Sequence, residues 1–193
     1  MPVAAVTDLA DQAVILPLAA LIGVVLALAG WGRGAVAWCL GVAGTLGTML
    51  VLKLLFIACG PFVLGGTLVS PSGHTAAAGV VYGVLSAGIV RALTGRGGWT
   101  FLCAVVCAGL VGATRLVLGA HTWPEVLAGG LIGTLGALLL TGLAGQPPDR
   151  LRLAPAVPVG LALIVLLHGA HLQAETVVRQ TALRFWPMTA CEP

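Results

Sequence analysis

Inside a bilayer there is no water to satisfy a backbone, so a chain that crosses one does so in continuous hydrogen-bonded segments. That constraint governs this sequence. It contains six long apolar stretches, about Ala13 to Gly30, Ala35 to Ala58, Thr75 to Leu93, Trp99 to Leu118, Trp123 to Ala144 and Ala154 to Ala170. A helix needs roughly 20 apolar residues to cross about 30 Å of hydrocarbon, and each stretch comes near that length. The breaks carry turn chemistry, as in Gly30-Trp31-Gly32-Arg33-Gly34, Gly95-Arg96-Gly97-Gly98 and Gln146-Pro147-Pro148-Asp149-Arg150. Hydrophobic residues make up 59% and charged residues 8% of the 193, against roughly 45–50% and about 25% in ordinary globular proteins. Such a chain has too little polar surface to remain in water. The expectation is an all-α polytopic membrane bundle of about six transmembrane helices, with residues 1–193 forming a single domain.

Other classes fall away. The net charge is +3 with the basic residues dispersed, so no nucleic-acid partner is expected. Most of the five cysteines fall within apolar runs and read as small buried residues rather than as a metal or redox site. Asp8 and Asp11 precede the first apolar run without any Lys or Arg. A cleavable signal peptide wants a positive start, so this run reads as a retained span. Connections after the first, third and fifth stretches hold Arg33, Arg91, Arg96, Arg150 and Arg152. The positive-inside rule places that side in the cytoplasm. The termini, including a short tail over 172–193, then lie outside.

This topology brings four separated positions to the same outward edge: Lys53 near the end of the second span, His74 at the start of the third, Arg115 at the end of the fourth and His121 before the fifth. Titratable groups at membrane depth are costly and tend to be functional. Each has a plainer reading alone. Ser72 could simply cap a helix, Arg115 could snorkel to the interface, and Thr122-Trp123-Pro124-Glu125 fits a capping box. Those readings do not predict two histidines, an arginine, a lysine and a carboxylate at one edge. Together the groups suit phosphoryl transfer. One imidazole attacks phosphorus and the other protonates the leaving oxygen. A carboxylate fixes the attacking ring, and cations with helix-start amides hold the phosphate oxygens.

Pro71-Ser72-Gly73-His74, followed by Thr114-Arg115, five residues, His121, three residues and Glu125, resembles the type 2 phosphatidic acid phosphatase superfamily. Its signature is Lys, six residues, Arg-Pro; then Pro-Ser-Gly-His; then Ser-Arg, five residues, His, three residues, Asp. The resemblance implies that His121 is a nucleophile forming a phosphohistidine and His74 the general acid. It implies that Glu125 orients His121 and that Lys53, Ser72, Gly73, Thr114 and Arg115 bind phosphate. No cofactor and no metal are implied. Three positions depart from the signature: Thr114 stands for serine, Glu125 for aspartate, and Gly60 for the arginine that follows Lys53 after six intervening residues. Arg179 or Arg184 of the tail is a candidate to replace that missing donor. Two further features are the apolar connection from Phe62 to Val69, either an interfacial lid or a buried loop, and His168 with His171 near the outer end of the last span.

The expected protein is a phosphatase in the bacterial inner membrane with its site facing the periplasm. Its expected substrate is a lipid-linked phosphate or diphosphate, such as a polyprenyl diphosphate, a phosphatidate-type glycerolipid or a lipid A phosphate. Membrane lipid is the surrounding partner, and a homodimer is compatible with the sequence. Two alternatives are a lipid phosphotransferase using the same phosphohistidine and a non-catalytic lipid-phosphate binding or transport protein.

Overall fold

The computed structural model describes residues 2–63, 70–148, 156–172 and 174–185. Among them every regular element is helical. A short α1 (Pro2–Asp8) leads into α2 (Gln12–Leu28), α3 (Gly32–Val63), α4 (Gly73–Ala77), a π-helical turn (Ala78–Tyr82) and α5 (Gly83–Thr94). There follow α6 (Thr100–Val117), α7 (Trp123–Ala144), α8 (Ala156–Leu167) and α9 (Ala174–Phe185). The segment Gly73–Thr94 runs as one helix of 22 residues.

All six apolar stretches are helices close to their expected bounds. Four are long and apolar enough to cross a membrane: Gly32–Ile57, Gly73–Thr94, Thr100–Val117 and Trp123–Ala144. The first and last are shorter, with α2 at 17 residues and α8 at 12 residues. The expected count of about six therefore stands at four helices of spanning length plus two shorter apolar ones. Outward-facing Leu93, Leu110, Leu127, Leu139 and Leu166 are each more than 60% exposed. A surface of that kind suits hydrocarbon rather than water, and the fold fits an integral membrane protein. Arg150 and Arg152 and the connection over 64–69 lie outside the described residues, as do the side chain of Phe62 and the surroundings of Gly60.

Helix α7 is the post around which the others stand, packing on α3, α4, the π turn and α6. Without a hydrophobic force between membrane helices, close packing depends on small residues, and α7 shows why. A Cβ on Gly129 would strike the Ser72 carbonyl, and one on Gly133 would strike the Ala76 carbonyl. One on Gly136 would meet the Thr45 hydroxyl. Main chain of α7 thus lies directly on main chain of α4. Farther along, Ile15, Leu18, Trp38, Val42, Val80, Val81 and Leu140 form the core shared by α2, α3, the π turn and α7. The Trp38 indole donates to the Ala19 carbonyl at 2.8 Å, so this buried indole N–H has its acceptor.

Two elements were not foreseen from hydropathy. Helix α1 packs against α6, and the turn after it is fully buried at Ala10, where Ala10 meets Ala78 and Val111. The Tyr82 hydroxyl donates to the Leu9 carbonyl and pins that turn. At the other terminus, α9 packs on α3.

Candidate active site

Glu125 lies at the centre of the polar cluster. It occupies the third position of α7, is only 5% exposed and satisfies three donors. Its Oε1 accepts the Ser70 N–H at 2.9 Å, and its Oε2 accepts the Thr122 N–H at 2.9 Å. The same Oε2 sits 3.0 Å from His121 Nδ1. The capping-box reading of Glu125 and the ring-orienting reading therefore hold together. Glutamate rather than aspartate fits because a capping box needs the longer arm to reach back to the N-cap N–H.

The fixed spacing between Arg115 and His121 has a backbone cause. Helix α6 ends at Val117, and Gly119 adopts φ +64, a left-handed conformation that glycine enters without penalty. This reversal lets the Arg115 carbonyl accept N–H groups from Ala120 at 3.0 Å and His121 at 3.4 Å. The turn places the His121 side chain, 8% exposed, beside the first turn of α7. Burial holds its imidazole below the ordinary value of 6.5, with Arg115 and Lys53 adding to the lowering. The Glu125 hydrogen bond pulls the other way. With Glu125 at Nδ1, the ring presents Nε2 as its remaining basic atom.

The Pro71-Ser72-Gly73-His74 segment is bound to α7 by main chain. Ser72 N–H donates to the Glu125 carbonyl at 3.0 Å, so residues 70 and 72 both hold Glu125. Ser72 is fully buried and caps α4: its Oγ accepts from the Thr75 hydroxyl at 2.9 Å and from the Thr75 N–H at 3.5 Å. The capping role of Ser72 is thus observed. A Cβ on Gly73 would come 3.5 Å from Lys53 Cε, which places the buried Lys53 of α3 against the start of α4. Thr114, on the last turn of α6, donates its hydroxyl to the Val111 carbonyl at 2.7 Å.

His74 joins the cluster from the start of α4. Arg115, Asp11, Lys53 and His121 all lie within electrostatic reach of it, so α3, α4, α6 and the α6–α7 turn contribute to one locus. The convergence expected from topology is present. Arg179 and Arg184 are different: both lie exposed on α9, and no contact ties either to this cluster among the described residues. Nothing in the structure explains Gly60.

Sequence reasoning missed the contribution of the N-terminal segment. Asp11 Oδ2 lies 3.6 Å from His74 Nε2, and the Thr7 hydroxyl lies 3.4 Å from Arg115 Nη1. His171, more than half exposed, approaches Asp11 at 3.6 Å and Asp8 at 3.8 Å. The only available signal was an aspartate in N-cap position before the first apolar run, and that pattern names no distant partner.

A carboxylate-bound histidine and a second histidine thus lie among cations at one end of a helical bundle that fits a membrane protein. Residues 34–146, more than half of the chain, match the PAP2 superfamily, and the chain belongs to that family. Its members are phosphatases, which supports a phosphatase-type activity here. The chain is also similar to an "Uncharacterized 22.5 kDa protein in cps region" of Klebsiella pneumoniae. The two are 29% identical over 191 residues, covering 92% of this chain and 88% of the relative. No solved structure matches.

Proposed function

We propose that this protein hydrolyses a lipid-linked phosphate or diphosphate through a phosphohistidine on His121. The observation that carries the reading is the 3.0 Å contact between His121 Nδ1 and the buried Glu125, set among Lys53, Arg115 and His74. A carboxylate at Nδ1 keeps the proton there, leaves Nε2 with its lone pair, and stabilises the positive ring that forms on attack.

In the first half-reaction Nε2 of His121 forms a bond to phosphorus. The bond from phosphorus to the leaving oxygen breaks, and that oxygen takes a proton from His74. In the second half-reaction water attacks phosphorus and gives its proton to His74. The P–N bond breaks and its electrons return to His121. Lys53, Arg115 and the N–H groups at the start of α4 hold the phosphate oxygens, where charge-assisted contacts are strongest. The Ser72 and Thr114 hydroxyls support this cradle from the capped α4 start and the last turn of α6. Each step uses water and groups that this chain supplies.

Placement supports a lipid substrate. The cluster lies at one end of a bundle with an apolar exterior, so a phosphate headgroup reaches it while the tail stays in hydrocarbon. By the positive-inside rule this end faces outward from a bacterial inner membrane.

The test is phosphate release by purified protein from a panel of lipid mono- and diphosphates, with EDTA present, beside His121→Ala. Release that survives EDTA and disappears in the variant is the expected result. Release by His121→Ala at the wild-type rate would eliminate the phosphohistidine.

A further inference from the structure

Asp11 is poorly explained as a helix cap alone. It is buried, with only 6% of its surface exposed, and the groups around His74 besides it are Lys53, Arg115 and His121. Its two oxygens are divided. Oδ1 accepts the Ala13 N–H at 2.8 Å, capping α2, and the Leu172 N–H at 3.2 Å. Those two backbone donors, from opposite ends of the chain, fix the carboxylate. Oδ2 is left facing His74 Nε2 at 3.6 Å and His171 Nδ1 at 3.6 Å. A residue that merely began α2 would need Oδ1 alone.

We infer that Asp11 is the positioning residue for His74, holding that ring and stabilising its protonated form during transfer to the leaving group. The inference rests on the phosphatase reading above. Protonated His74 keeps its Nε2 proton toward Asp11 and gives its Nδ1 proton to the leaving oxygen as the P–O bond breaks. Nδ1 recovers a proton from the attacking water in the second half-reaction. The charged and titratable groups facing His74 are Asp11 from the α1–α2 turn, Lys53 from α3, Arg115 from α6 and His121 from the α6–α7 turn. Asp11 is the single anion among these four. His171 stands behind Asp11 at the solvent side.

The structure also supplies a clean variant. Asn and Ser are as good as Asp at an N-cap, so Asp11→Asn and Asp11→Ser keep α2 capped and remove the charge. The measurement is kcat/KM, which reports phosphohistidine formation and not its hydrolysis, for two phosphate esters in detergent or vesicles, one with an alkyl alcohol as leaving group and one with p-nitrophenol. An alkoxide needs a proton to leave, whereas a nitrophenolate leaves without one. General acid catalysis is worth at least roughly 10²-fold. Both variants are expected to slow the alkyl ester by about tenfold or more and to leave the nitrophenyl ester near the wild-type rate. A merely structural role slows the two esters equally, and that result overturns the inference while leaving the phosphatase reading intact. A wild-type protein that hydrolyses neither ester nor any lipid phosphate overturns that reading, and this inference with it.

Discussion

Replacing Glu125 by glutamine tests the site at its most connected atom pair. The side chain keeps its shape, but one of two acceptor oxygens becomes an NH₂ donor. Burial decides which one. If the amide nitrogen took the Oε1 position it would face the Ser70 N–H, and Ser70 is 7% exposed, leaving a buried donor opposite a donor. If it takes the Oε2 position it faces the N–H of Thr122, an exposed residue whose N–H water can satisfy. A buried orphan donor costs about 1–3 kcal/mol, so the second arrangement wins. The amide then donates to His121 Nδ1, which must become an acceptor, and the ring proton moves to Nε2. That is the wrong tautomer for attack. In a serine protease the equivalent aspartate-to-asparagine change lowers kcat by about 10⁴-fold, and a loss of about 10³–10⁴-fold is expected here. The fold is expected to survive, since the buried Ser70 contact is kept and water takes the Thr122 N–H. Phosphate release and thermal unfolding by circular dichroism are measured on the same sample. A variant with kcat within tenfold of wild type would refute the claim that Glu125 sets the His121 tautomer.

Two more outcomes are expected. Gly129→Ala forces a Cβ into the Ser72 carbonyl, whereas at Gly130 the nearest atoms would be 3.7 and 3.8 Å away. Overpacking costs about 1–3 kcal/mol, so Gly129→Ala melts earlier and loses activity while Gly130→Ala does neither; equal melting of the two would contradict the described contact. Because burial lowers the His121 pKa from 6.5, the neutral nucleophile persists below that pH. The acid limb of kcat/KM should have its midpoint under 6.5. The stability linked to this ring is complete above 6.5 and is lost as pH falls below it, through the folded-state value. An acid midpoint at or above 6.5 in the kcat/KM profile would count against a buried neutral His121.

Hydropathy alone located the six apolar helices, though not α1 or α9, because in hydrocarbon a long apolar run has one backbone solution. Alternating topology then carried Lys53, His74, Arg115 and His121 to one end, where the structure has them. The packing was less legible. That Gly129 and Gly133 seat the carbonyls of Ser72 and Ala76 depends on the rotation of α7, and its nearly uniform apolarity hides its inward face. The capping and ring-orienting roles of Glu125 looked like rivals in sequence, since a pattern cannot show that one oxygen serves two donors. Asp11 was visible only as a charge before the first span. Its approach to His74 depends on the α1–α2 turn burying Ala10 against Ala78 and Val111, a contact between distant segments with no local signature. The missing arginine at Gly60 has no structural account.

The bare contact between α7 and α4 has a consequence for the lipid setting. Where helices meet through long side chains, bilayer thickness or lateral pressure can alter rotamers and let the helices slide. Here carbonyl groups of α4 rest on glycines of α7, and no rotamer intervenes. The two helices that carry Glu125 and His74 must tilt together when the membrane thins or thickens. On this packing, stress from the bilayer is expected to move Glu125 and His74 together rather than apart.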